Sequence, residues 1–176
     1  MSERGRKRER KPVNLWLSFL ILAAIGITAD QFTKWIVFRS FAVNFQGRVD
    51  IIQSFLSISP CWNTGGVFGV FQGHSSFFTV LAVFSLIVVG WLSWSWMRHS
   101  PGPSVWVSLS AILAGAVGNL IDRIYFGPVR DFIDVHIGSY SWPTFNLADA
   151  FITVGAISLA LSMIAKQPAE KVETRD

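Results

Sequence analysis

Four stretches of the chain stay apolar for long enough to cross a bilayer: 15–38, 77–97, 105–124 and 147–165. A helix rises about 1.5 Å per residue and the hydrocarbon layer is about 30 Å thick, so roughly 20 such residues make a span. The pattern predicts four transmembrane helices separated by polar pieces. Within the piece 39–76, residues 49–59 mix β-branched and aromatic side chains, with partial alternation around Phe55-Leu56-Ser57-Ile58-Ser59. That reads as one or two short strands. Residues 98–103 read as a short turn. Residues 126–145 read as a loop, with Gly127-Pro128 and Trp142-Pro143 as turn signals. The expected fold class is membrane all-α: one four-helix domain at 14–166 between polar tails at 1–13 and 167–176.

Some polar residues break the apolar segments. Asp30 and Lys34 lie four apart in the first, so they can pair on one helix face, which Ala23, Gly26 and Thr33 share. Asn119, Asp122 and Arg123 close the third segment, and Asp122 would most simply pair with its neighbour Arg123. Asn146 and Asp149 open the fourth as helix cap and third residue, where the helix dipole favours negative charge. Asp131 and Asp134 lie in the loop between. Ionisable groups at membrane depth are costly and usually face a bundle interior or a cavity. The second segment has no charge and reads as scaffold, with Trp91, Trp94 and Trp96 as an interfacial belt. Ala111/Gly115 and Ala114/Gly118 permit close contact of the third helix with a neighbour.

Charge sets the expected topology. Ten of the fifteen basic residues (Arg4, Arg6, Lys7, Arg8, Arg10, Lys11, Arg98, Lys166, Lys171, Arg175) fall in the two tails and the 98–103 turn, counting Lys166 at the edge of the second tail. Both termini are therefore expected in the cytoplasm. Asp30, Asp122 and Asp149 then lie near the opposite face, with the loops carrying Asp50, Asp131 and Asp134. The net charge of +4 gives no reason to expect nucleic acid. Half of the residues are apolar, only 15% are charged, and the mean hydropathy is +0.44. With four spans leaving room for short tails and one sizeable loop, one membrane domain and no separate soluble one is expected. The single cysteine, Cys61, excludes an internal disulfide and reads as a small filler. No HExxH or GxSxG motif occurs.

Two adjacent carboxylates share a proton, so one can activate a water while the other protonates a carbonyl oxygen. The spacing admits this hydrolytic reading. It equally admits a proton-coupled transporter or a structural salt-bridge cluster. A metal site on Asp131, Asp134 and His136 is a poorer option. Asn63, in Asn63-Thr64-Gly65-Gly66, suits holding a carboxylate or a peptide group if it does more than make a turn.

Five blocks narrow the choice. Asp30-Gln-Phe-Thr-Lys34, Asn63-Thr-Gly-Gly-Val-Phe-Gly69, Ala114-Gly-Ala-Val-Gly-Asn-Leu-Ile-Asp-Arg123, Val129-Arg-Asp-Phe-Ile-Asp134 and Phe145-Asn-Leu-Ala-Asp149 stand in this order. In these blocks the chain resembles signal peptidase II, the lipoprotein signal peptidases. The resemblance implies an aspartyl endopeptidase of the bacterial cytoplasmic membrane that cuts diacylglyceryl prolipoproteins just before the lipidated cysteine. It implies Asp131 and Asp149 as catalytic residues. Asp30, Lys34, Asn63, Gly65, Asn119, Asp122, Arg123 and Asn146 would bind substrate or support the site. It further implies a small β-element and a short surface helix in the first outer loop, no cofactor and no metal. The partners it implies are membrane lipid and globomycin-like cyclic peptide inhibitors; no nucleic acid partner is expected, and the chain is expected to be a monomer.

Overall fold

The computed structural model describes residues 14–43, 47–65, 75–99 and 102–165. In chain order these form helix α1 (Leu15–Val43), strands β1 (Val49–Ile52) and β2 (Leu56–Asn63), helices α2 (Ser75–Met97) and α3 (Pro103–Tyr125), strands β3 (Val129–Ile137) and β4 (Tyr140–Ser141), and helix α4 (Leu147–Ile164). All four helices are long and apolar enough to cross a membrane. Their bounds follow the hydropathy pattern within two or three residues, except that α1 continues five residues beyond the expected end at 38.

Helix α3 is the hub, packing on α1, α2 and α4. Its small residues are the reason. A Cβ on Gly115 would run into the backbone carbonyl of Ala148 on α4. A Cβ on Gly155 of α4 would lie 2.9 Å from the carbonyl oxygen of Ser108, and one on Gly26 of α1 would lie 2.7 Å from the Ala114 methyl. Backbones this close gain dispersion contacts that lipid cannot supply. Away from these seams the helices turn apolar side chains outward: Val80, Phe84, Ile87 and Trp91 on α2, and Val154, Ile157 and Leu161 on α4. At one end of the bundle Phe19, Met97, Val105 and Leu109 form a buried apolar cluster.

At the other end lies a four-stranded antiparallel sheet in the order β1-β2-β3-β4. Ser54, at φ 61°, turns β1 into β2. The β2–β3 register shifts between Ile58 and Cys61. Pro60 lies within that interval and cannot donate to the ladder. Beyond the shift Cys61 faces Asp131 and Asn63 faces Val129.

Strand β3 corrects the expectation of a loop at 126–145. Its sequence, VRDFIDVHI, is covered on both faces, and three of its buried residues are Arg130, Asp131 and Asp134. With charged side chains pointing inward, the usual apolar alternation is absent and the strand is hidden from a hydropathy reading. Cys61, expected as a small filler, is exposed. The expected short surface helix has no counterpart among the described residues of the first loop. Residues 44–46 and 66–74 of that loop, and the tails at 1–13 and 166–176, lie outside the described residues.

Candidate active site

Two layers of buried polar side chains meet where α1, α3, α4 and β3 converge. The lower layer is a closed charge network. Lys34 Nζ lies 2.8 Å from Asp30 Oδ2 and 3.3 Å from Asp122 Oδ2, and all three side chains are completely buried. The i,i+4 pairing of Asp30 and Lys34 is therefore formed. Asp122 pairs with Arg130 of β3 rather than with Arg123. Arg130 Nη2 donates to Asp122 Oδ1 at 2.7 Å, and its backbone N–H donates to Oδ2 at 2.9 Å. The strand delivers side chain and backbone donors together, which the adjacent Arg123 on the same helix cannot do. Gln31 ties the layer shut, donating to Asp30, to Asp122 and to the Gly118 carbonyl, and accepting from Arg130. Two carboxylates thus face two cations, which is the condition for burying charge at tolerable cost.

Asp30 also reaches across to α4. Its Oδ1 accepts the backbone N–H of Ala148 at 2.9 Å, satisfying a donor that the first turn of a helix leaves unpaired. Gly118 makes room for this carboxylate: a Cβ there would lie 2.5 Å from Asp30 Oδ2.

The upper layer holds Asp131 and Asp149. Asn146 caps α4 in a reciprocal box: its side-chain oxygen accepts Asp149 N–H at 3.0 Å, and its own N–H donates to Asp149 Oδ2 at 3.2 Å. The Asn146 Nδ2 donates to Asp131 Oδ1 at 2.7 Å. One residue therefore touches both carboxylates. Asn63 Nδ2 donates to Asp131 Oδ2 at 2.9 Å, and Asn119 Nδ2 donates to Asp149 Oδ1 at 2.7 Å. Gly65 supplies its N–H to Asn63 Oδ1 at 3.0 Å. No cation bonds either carboxylate directly among the described residues. Burial, and then the neighbouring charge of Asp149, push the Asp131 carboxyl up to about 7, against the opposing hydrogen bonds from Asn63 and Asn146. The pair can thus hold one proton near neutrality, the state in which one member accepts and the other donates.

Every residue expected at the site lies in one of these layers except Arg123. Its guanidinium donates to the Asn119 carbonyl at 3.2 Å, sits 6.0 Å from the Phe78 ring and makes no ion pair among the described residues. Gly66 to Gly69 of the second block lie outside the described residues. Asp134 is turned away from the dyad. It accepts from Arg48 at 3.2 Å and contacts His136 Nε2 at 2.9 Å, so the metal grouping with Asp131 is not assembled. No group of three or more potential ligands gathers among the described residues. Neither Gln31 nor Arg130 stands out in the sequence. Both lie inside the quoted blocks, but a glutamine beside an aspartate carries no signal of its own. Arg130 becomes informative only once β3 is known to be a strand.

Residues 22–165 match the family model described as Signal peptidase (SPase) II. The chain is 39% identical over 161 residues to the lipoprotein signal peptidase of Syntrophus aciditrophicus, covering 90% of this chain and 97% of that one. It is 37% identical to that of Symbiobacterium thermophilum over 145 residues, covering 82% and 93%. A bacterial membrane enzyme structure determined by the in meso method at 2.3 Å resolution superposes with a TM-score of 0.74 at 28% identity, covering 90% of this chain and 94% of that one.

Proposed function

The chain belongs to the signal peptidase II family and is a multi-pass membrane protease that processes lipoproteins, and from that premise we propose that Asp131 and Asp149 are its catalytic dyad. The observation that carries this reading is the shared contact with Asn146, which brings a strand carboxylate and a helix carboxylate to one point.

The substrate is a diacylglyceryl-modified prolipoprotein, cut just before the lipidated cysteine. Asp149, at the start of α4 where the dipole favours negative charge, takes a proton from water as that water attacks the scissile carbonyl carbon. Asp131 enters protonated and gives its proton to the carbonyl oxygen. In the collapse of the tetrahedral diol, Asp149 passes its proton to the leaving nitrogen. Asp131 recovers one from the diol hydroxyl, and the pair returns to its starting state. Arg123, half-buried beside the pair and without an ion pair among the described residues, can turn to meet a substrate carbonyl. Asp30, Lys34, Asn63, Gly65, Asn119, Asp122 and Asn146 hold the dyad in place. The apolar outer faces of α2 and α4 let a lipid-bearing helix approach from within the bilayer.

The skew of basic residues toward the tails and the 98–103 turn supports cytoplasmic termini, in the bacterial inner membrane, with the site near the outer leaflet. A monomer completes the reading, with globomycin-like cyclic peptides as inhibitors.

The test is incubation of the purified protein with a synthetic diacylglyceryl prolipoprotein and location of the cut by mass spectrometry. Cleavage before the lipidated cysteine is expected, lost in Asp131→Asn and in Asp149→Asn while both variants stay folded, and unaffected by excess chelator. Turnover surviving either substitution would remove the dyad.

A further inference from the structure

Which end of a side-chain amide is oxygen is decided by its neighbours. Around the dyad three asparagines present an NH2 group to a carboxylate, and the oxygen of each meets a group that can only donate. The Asn63 oxygen meets the Gly65 N–H, and the Asn146 oxygen meets the Asp149 N–H. The Asn119 oxygen, 3.1 Å from Lys34 Nζ, also accepts from Asn146 Nδ2 at 3.0 Å. Lys34 is completely buried, and its three polar neighbours, Asp30, Asp122 and Asn119, are all acceptors. An ammonium carries three donors and no lone pair. A flipped Asn119 would set its NH2 against the Lys34 ammonium and its oxygen against Asp149.

We propose that Lys34 is a positioning residue for the hydrolytic step, locking the Asn119 amide so that its NH2, and not its oxygen, holds Asp149. The backbone donors that meet the Asn63 and Asn146 oxygens form with the fold. The Asn119 oxygen depends on side chains, Asn146 and Lys34, and of these only the Lys34 ammonium on α1 has no acceptor end to offer. The inference rests on Asp149 acting in hydrolysis.

Two measurements on the full-length protein test it, both using the lipidated substrate. The first is a double-mutant cycle on kcat. Lys34→Met and Asn119→Leu each remove a hydrogen bond to a charged group, with an expected loss of about 10- to 100-fold. If Lys34 acts through Asn119, the double variant is no worse than the poorer single one. Losses that multiply would overturn the proposal.

The second is the pH profile of Asn119→Asp. This substitution preserves shape and keeps an acceptor for Lys34, so it keeps the proposal testable should Lys34→Met, which leaves Asp30 and Asp122 short of a cation, fail to fold. It replaces the donor facing Asp149 with an acceptor. Turnover near neutral pH is expected to fall by at least about 10-fold and to recover in part as the pH drops and the new carboxyl gains a proton to donate. The other charged or titratable groups around the pair are Lys34 and Asp30 of α1, Asp122 and Arg123 of α3, Cys61 of β2 and Arg130 of β3, and all are unchanged in this variant. An unaltered pH profile would show that amide polarity is irrelevant and sink the idea. Failure of the hydrolytic reading itself shows separately, as an active Asp149→Asn.

Discussion

Gly115→Ala should cripple turnover without touching a polar residue. The added Cβ would collide with the Ala148 carbonyl and lie 2.7 Å from the Ile152 side chain. A Cβ essentially never comes within 3.0 Å of another heavy atom, and here the obstacle is backbone, which cannot rotate away. Helices α3 and α4 must part, by on the order of 1 Å. Asp149 follows Ala148 directly, and its bond from Asn119 on α3 is 2.7 Å long. A 1 Å separation takes that contact beyond hydrogen-bonding range. Overpacking of this kind costs about 1–3 kcal/mol of stability, and a 1 Å misplacement can cost about 100-fold in rate. The assay is kcat on a lipidated prolipoprotein beside thermal unfolding in the same detergent. Gly90→Ala is the control: on α2, a Cβ there meets nothing within 4 Å, so that variant should keep activity and stability. A Gly115→Ala enzyme with unchanged kcat would refute the claim that α3–α4 spacing sets the geometry of the dyad.

Three more outcomes follow from the buried charges. Asp131 carries its proton up to about 7 in the fold against an ordinary 3.8, so its contribution to stability is full below 3.8 and is lost as pH rises toward 7. Asp131→Asn lacks that loss, so its melting temperature relative to the parent should climb between those values and level off above them; a constant difference would contradict the raised pKa. Asp122→Asn leaves Lys34 and Arg130 short of a charge and should cost about 3–5 kcal/mol, read by denaturant unfolding. Arg48→Ala removes a half-exposed pairing with Asp50 and Asp134 and should cost no more than about 1 kcal/mol, a difference that shrinks in high salt. A large, salt-insensitive loss would mean that Arg48 anchors β1 by something other than charge.

The helices were legible because apolar length is a one-dimensional signal. The capping box on α4 was legible too, since Asn146 and Asp149 need only local spacing to find each other. Strand β3 was not, because its inward positions hold Arg130, Asp131 and Asp134 rather than apolar residues. The partner of Asp122 went wrong for a related reason. Adjacency in sequence favoured Arg123, but consecutive residues on a helix point about 100° apart, and the strand opposite offered a bidentate guanidinium. The site blocks were visible as a set of polar residues, while the pairing among them depended on a sheet that hydropathy did not reveal.

The division into two layers explains how Asp131 can be both buried and useful. Had Lys34 or Arg130 bonded a dyad carboxylate directly, the ion pair would have favoured its charged form and removed the acid needed at neutral pH. The cations are instead spent on Asp30 and Asp122. Among the described residues only neutral donors touch the dyad: three asparagine amides and one backbone N–H. These orient four carboxylate oxygens without supplying a full positive charge, so desolvation and the second aspartate still raise Asp131 to about 7. Asn119 is the joint between layers, taking its orientation from Lys34 while keeping the ammonium one residue away from Asp149. A cation moved one layer up would tighten the fold and silence the chemistry.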